Sequence, residues 1–365
     1  MIRIKDITDH LDNLAPVAYA ESYDNVGLLV GEKENEVTSV LVSLDCTEEV
    51  VKEAIKLGAN LIVSHHPIIF KGLKSLTGKN YVERTVMLAI RNDIALYAIH
   101  TNLDNISHGV NKRISDIIGL KETTILQPKS GALQKITFFV PVVQAHAVTE
   151  ALFAAGGGSQ GLYSECSFRL NGKGTFKPLE GSDPFLGEIG NREEVDETRV
   201  ELMYPTYLNS RIRKALKAAH PYEEVAFYQE DLANENQYLG SGMIGELPEP
   251  TDVLDFLTNV KSKMQVKVIR HTRISNKLVK KVAVCGGSGS FLLGAAKRAG
   301  ADVYITADFK YHEFFDAEDS IVIADIGHYE SEQFTIDLLA EAIREKFRTF
   351  ATHLTTVHTN PIHYL

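Results

Sequence analysis

Apolar residues along this chain follow two rhythms, and their alternation predicts an α/β fold. Short unbroken runs, Val40-Leu41-Val42-Ser43-Leu44, Leu61-Ile62-Val63-Ser64 and residues 94–99, have the length and branching of strands buried on both faces. Between and before them the spacing turns helical. Ile4, Ile7, Leu11 and Leu14 mark a first helix that Pro16 closes. Thr47 caps a second, with Glu48 and Glu49 in its positive first turn and Gly58 at its end. A third is predicted over residues 81–92, after a Gly- and Lys-containing loop at 70–80. Strand, helix and parallel strand make a βαβ unit, in which functional groups collect beyond the carboxyl ends of the strands.

The pattern changes near residue 127. Strands are predicted over 135–140, 163–170, 198–204 and 223–229, with helices over 145–155 and 208–219. The order βαββαβ is that of a ferredoxin-like domain of independent size. Asn234-Glu235-Asn236-Gln237 reads as its exit linker. Beyond it, a helix at 253–263 and a strand at 281–285 return to the α/β alternation. Residues 284–306 repeat those from Val42 to Ser64 at an offset of 242 residues, Gly300 answering Gly58. His65 and His66 then correspond to Ala307 and Asp308. The predicted architecture is two related α/β halves, 1–127 and 235–365, forming one core domain interrupted by an α+β insertion at 128–234.

Composition narrows the class. Hydrophobic residues at 44% and charged residues at 24% describe a globular chain. A formal net charge of −10 disfavours a broad nucleic-acid-binding surface. Cys46, Cys166 and Cys285 form no CxxC pair, which fits a reducing compartment without disulfides or a zinc ribbon. The opening Met1-Ile2-Arg3-Ile4-Lys5-Asp6 lacks a signal peptide's apolar core, and no stretch approaches a membrane span, so the expected location is cytoplasmic.

Candidate chemistry gathers at three strand ends. Leu61 to Ser64 runs into His65-His66-Pro67; residues 94–99 run into His100-Thr101-Asn102-Leu103-Asp104; and Ile321 to Ala324 leads to Gly327-His328-Tyr329-Glu330-Ser331-Glu332. Pro67 keeps His66 extended, and His328 and Glu332 sit at i and i+4 on one helical face. Imidazoles with a shared carboxylate suit zinc, iron or manganese, and the absence of cysteine ligands favours a catalytic over a structural site. The donors suffice for two metals, which a bridging Glu332 would hold ~3.5–4 Å apart, as in hydrolytic two-metal centres. Asp308 and His312, another i, i+4 pair, read as supporting or substrate contacts. Gly286-Gly287-Ser288-Gly289-Ser290 reads equally as an anion-binding loop or a tight turn. Asp24-Asn25 reads as turn chemistry, His220-Pro221-Tyr222-Glu223-Glu224 as a structured turn or oligomer contact, and the tail from Ala351, despite His353, His358 and His363, as free of chemistry.

Asp24-Asn25-Val26-Gly27-Leu28, Ser64-His65-His66-Pro67, His100-Thr101-Asn102-Leu103-Asp104 and the motif from Gly327 to Glu332 together resemble the NIF-three-like family, whose bacterial members are often labelled GTP cyclohydrolase 1 type 2 homologues. The insertion is similar to CutA and PII-type domains. The resemblance implies two divalent metal ions per chain: His65 and His66 binding one each, Asp104 joining the metal of His66, His328 joining the other, and Glu332 bridging, with His100 a supporting residue. It also implies a toroidal homohexamer with its metal sites facing an inner cavity and the insertions covering the openings. The reaction implied is hydrolysis of a nucleotide or related small molecule, with Asp308 or His312 moving protons. The competing expectation is a metal-binding regulator or metal chaperone whose insertion senses a small-molecule effector.

Overall fold

The computed structural model describes residues 1–274 and 278–365. Two compact units emerge, Met1–Gln127 with Leu239–Leu365, and Pro128–Tyr238. The insert thus ends at Tyr238 and not at 234. Asn234-Glu235-Asn236-Gln237 is only partly linker, because the long strand Asn236–Asp252 already starts inside it. Burial begins at Leu239, and that residue is where the chain rejoins the larger unit's core.

In the larger unit, the strands Val40–Ser43, Leu61–Ser64 and Ala95–Ala98 are parallel neighbours, buried throughout. Gly27–Val30 closes one edge antiparallel, and Thr352–Leu354 closes the other in parallel. Helix Glu48–Leu57 begins where the Thr47 hydroxyl accepts from Val50 N–H, and ends at Gly58 with φ +68°. Helix Tyr81–Arg91 begins where Asn80 accepts from Glu83 N–H. These two helices cover one face of the sheet through Val50, Val51, Ala54, Val86 and Ala89 against Leu41, Ile62 and Leu96.

The second sheet repeats this design. Leu278–Ser288, Val303–Ala307 and Val322–Asp325 are parallel, and Arg270–His271 closes the edge antiparallel. Val40 pairs with Leu61, and Val282 pairs with Val303, so the repeat predicted at 242 residues holds down to the register. Asn236–Asp252 and Lys121–Lys129 extend the far edge. One apolar cluster joins the inner faces of both sheets, with Val40, Val63, Val282 and Ile305 around helices Ile4–Leu14, Val110–Ile118, Val253–Lys263 and Thr335–Lys346. The helix predicted from His328 to about Phe347 is two helices, His328–Glu332 and Thr335–Lys346.

The insert shows the predicted element order, with its four antiparallel strands arranged Phe168–Phe176, Glu193–Pro205, Leu133–Pro141, Phe227–Asp231. Its helices Ala145–Ala154 and Asn209–Ala219 seal one face through Val148, Leu152, Ile212 and Leu216. The excursion after residue 170 is partly strand. Phe168–Phe176 is an exposed edge whose glycines and charges hide its period. Among the described residues no helix is long and apolar enough to cross a membrane.

Candidate metal centre

The three strand ends named by the sequence meet inside the larger unit. His65 follows Leu61–Ser64 and is wholly buried. Its Nδ1–H donates to the Ile99 carbonyl (2.8 Å), which leaves Nε2 as an acceptor 3.6 Å from Asp104 Oδ1 and 3.9 Å from Glu332 Oε1. The backbone N–H of His66 donates to Leu44 O, which fixes the turn after the strand. The ring's Nδ1–H donates to Asp45 Oδ1 (2.7 Å), so its Nε2 lies 3.0 Å from Glu332 Oε2 and 3.4 Å from His328 Nε2.

His328 opens the short helix His328–Glu332 after Gly327, whose φ of +92° a side chain would resist. Its Nδ1–H donates to Asp308 Oδ2 (2.7 Å), and its Nε2 lies 3.2 Å from Glu332 Oε2. Glu332 is buried one turn further along this helix. Room for it comes from the strand end opposite: a Cβ on Gly287 (φ +61°) would lie 2.4 Å from Glu332 Oε1. The Gly287 N–H is already taken by Ser331 Oγ and the Gly286 N–H by Asn111 Oδ1. The Gly-rich run is therefore a close-packed turn shaped around Glu332, and not an anion cradle.

Three groups of ligand atoms each lie within 4.8 Å, and two of them contain Glu332: His65, Asp104 and Glu332, and His66, His328 and Glu332. Glu332 is common to both, one oxygen turned to each. The neighbours of each imidazole differ from the pairing that the resemblance implies. Asp104 stands with His65 and His328 with His66, because the His66 ring is aimed by Asp45 at the helix carrying His328. Among the described residues, His65 Nε2 and Asp104 Oδ1 are buried with no hydrogen-bond partner. Buried polar atoms are rarely left so, and a cation between them satisfies both. Burial and the Glu332 charge push the Asp104 carboxyl up to about 7. Burial alone would lower the two outer imidazoles, but the carboxylates beside them prevail, raising His66 to about 10 and His328 to about 11. These pulls mark a pocket built for positive charge. The donor set fits zinc, iron or manganese.

The remaining predicted residues separate. His100 lies with His65 and His66, and its Nδ1–H donates to Asp24 (3.0 Å to Oδ1), which also accepts from Thr101 N–H and Oγ1. Asp24 is therefore more than a turn former. Burial would raise its carboxyl, but these bonds hold it at about 2. Asp308 supports His328. His312 does not join it: Asp308 sits at φ +59°, outside the 3-10 helix Tyr311–Ala317, so the two share no helical face. His312 is exposed, its ring against Tyr311 and Phe315.

Sequence reasoning missed Asp45 and Thr359, and it read Gly287 as part of a loop or tight turn without the clearance it gives Glu332. Thr359 Oγ1 donates to Asp45 Oδ2 (2.5 Å), so the tail, which reads as idle, braces the residue that aims His66. Asn360 likewise donates to buried Glu330 (3.1 Å). Of these, Asp45 alone had a legible signal, since it also follows a buried strand.

Known proteins share this arrangement of elements. A Staphylococcus aureus protein named GTP cyclohydrolase 1 type 2 homolog is 36% identical over 369 residues, covering 100% of both chains. One of the same name from Halalkalibacterium halodurans is 38% identical over 356 residues, covering 96% of each. The crystal structure of a Bacillus cereus protein related to NIF3 superposes with a TM-score of 0.86 at 38% identity, covering 100% of this chain and 99% of that one. The family model described as Duf34/NIF3 (NGG1p interacting factor 3) matches residues 2–361, and the chain belongs to that family.

Proposed function

We propose that this protein is a two-metal hydrolase acting on a nucleotide or related small anionic molecule. The observation that carries the reading is the position of Glu332, a buried carboxylate with one oxygen turned to each of two His-containing triads. His65, Asp104 and Glu332 would hold one ion, and His66, His328 and Glu332 the other. When bound, such ions polarise a substrate and acidify water. The chain's own groups orient the site. Asp45 and Asp308 fix the tautomers of His66 and His328, and Ile99 O fixes that of His65. Three protein donors per ion leave coordination positions for substrate, which favours an enzyme over a closed storage site.

A cavity of about 700 Å³ opens beside His66 and Asp45. Phe70, Lys71 and Lys74 line it, and neither lysine has an ion pair among the described residues. An aromatic wall and two unpaired cations suit a molecule with a ring and an anionic group. The name carried by the relatives supports the same substrate class. Asp308, half exposed beside His328, is the group placed to exchange a proton with solvent.

The test is metal content per chain in wild type and Glu332→Ala, with turnover on a panel of nucleotides and phosphoesters. Near two ions in wild type, lost with turnover in the variant, is expected. Two ions without turnover on any substrate would overturn the hydrolase reading in favour of a metal-binding regulator or chaperone.

A further inference from the structure

The phrase His220-Pro221-Tyr222-Glu223-Glu224 belongs to the insert and has no part in the metal centre. Its polar side chains are engaged in building a turn. The buried His220 ring donates through Nε2–H to the Phe139 carbonyl (2.9 Å) and accepts the Tyr222 N–H at Nδ1 (3.1 Å). That turn brings the Tyr222 hydroxyl to Glu197 Oε1, to which it donates (2.9 Å). Glu223 accepts from Asp183 N–H (3.0 Å), tethering the segment after Phe176. Tyr222, Glu223 and Glu224 wall a cavity of about 270 Å³ within the insert.

Glu197, 8% exposed, also lines this cavity. Buried carboxylates are normally paired with a cation, but Glu197 has no ion pair among the described residues and a single side-chain hydrogen bond, from Tyr222. Its other oxygen rests over Gly174, where a Cβ would lie 2.0 Å from Oε2, so the bare backbone is what admits the carboxylate. Phe176 and Phe185 flank Tyr222, their ring centroids 5.7 and 6.3 Å from its own. Glu224 adds negative charge to the lining. Lys177, the one cation of the lining, forms no ion pair among the described residues. Aromatic faces around a desolvated carboxylate are the recognition chemistry of an organic ammonium ion. A metal ion is less well served, since among the described residues no three His, Cys, Asp or Glu ligand atoms converge here.

We propose that this cavity is an effector site for a small organic ammonium ion, with Glu197 countering its charge and Tyr222, Phe176 and Phe185 packing on its alkyl groups. The experiment is calorimetric titration of the full-length protein with choline, with spermidine, and with the neutral analogue of choline in which carbon replaces nitrogen. Saturable binding of at least one cation and none of the neutral analogue is expected. Glu197→Gln should weaken it roughly tenfold or more, and Phe185→Ala, on the tethered segment and away from the insert's core, about three- to tenfold. Unchanged melting of both variants shows that the insert is still folded. Absence of binding by either cation, equal binding of the neutral analogue, full affinity in Glu197→Gln, or binding of manganese alone would each overturn the proposal.

Discussion

The two halves of the larger unit use one strand register for two different jobs. Val40 to Leu61 and Val282 to Val303 pair identically. The hydrogen bond Ile99 N–H to Ser64 O has its counterpart in Ile326 N–H to Thr306 O. After the second strand, the first half places His65 and His66, where the second half has Ala307 and Asp308. At the position where the first half has Asp45, the second has Gly287. The first half thus aims imidazoles from a strand end and braces one with a carboxylate. In the second half Asp308 does the bracing, the imidazole and bridging carboxylate arrive on a helix, and a glycine clears their space. A duplicated scaffold supplies equivalent positions, but each ligand needs its own support, and those supports are what diverge.

Substitution of Gly287 should disturb this comparison most. Gly287→Ala sets a Cβ against Glu332 at φ +61°, and a stability loss of about 1–3 kcal/mol in chemical denaturation is expected, together with loss of metal measured by elemental analysis. Gly58→Ala makes the control, since its φ is also positive but a Cβ there meets nothing within 4 Å. It should cost about 1 kcal/mol and spare the metal.

The two bracing carboxylates sharpen the comparison. Asp45→Ala and Asp308→Ala should each weaken metal binding about 10–100-fold, read by competition with a chromogenic chelator. Both brace the imidazoles of the proposed His66–His328 ion, so an ion held by His65 and Asp104 should stay. Loss of both ions from either variant would show that the triads do not fill separately.

The loop at 70–80 is an asymmetry of the first half. Buried Glu83 accepts from the backbone of Thr77 and Lys79 and from the side chains of Thr77 and Asn80, and these bonds hold its carboxyl down at about 2. A depressed carboxyl stabilises above its unfolded value of about 4.3 and loses that contribution as pH falls to its folded value. Wild type should therefore melt above Glu83→Gln at pH 7, with the gap closing as the pH approaches 2. A gap that persists at pH 2 would mean the carboxylate charge is not what orders the loop.

The smallest effect is expected at His312. Exposed and away from both triads, His312→Ala should change melting and metal content negligibly, within about 0.5 kcal/mol for stability. A clear loss of metal would return it to the site.

Much of the fold was legible in the chain. Unbroken apolar runs of strand length, capped helices and the repeat to Gly300 determined the α/β class, because local propensity and burial on both faces leave few alternatives. His65, His66, Asp104, His328 and Glu332 stood out because each follows a strand end, where side chains leave the sheet together. What periodicity could not reach was any relation between distant segments. Asp308 and His312 have the spacing of one helical face, but Asp308 is itself left-handed and lies outside the helix that carries His312. The tail carries no motif, but the edge strand Thr352–Leu354 brings Thr359 to Asp45. Which imidazole stands beside which carboxylate was decided only when the two sheets came together around their shared helices, since the aim of a ring depends on the hydrogen bond to its far nitrogen. Sequence determined the donors and their strand ends; tertiary packing decided their partners.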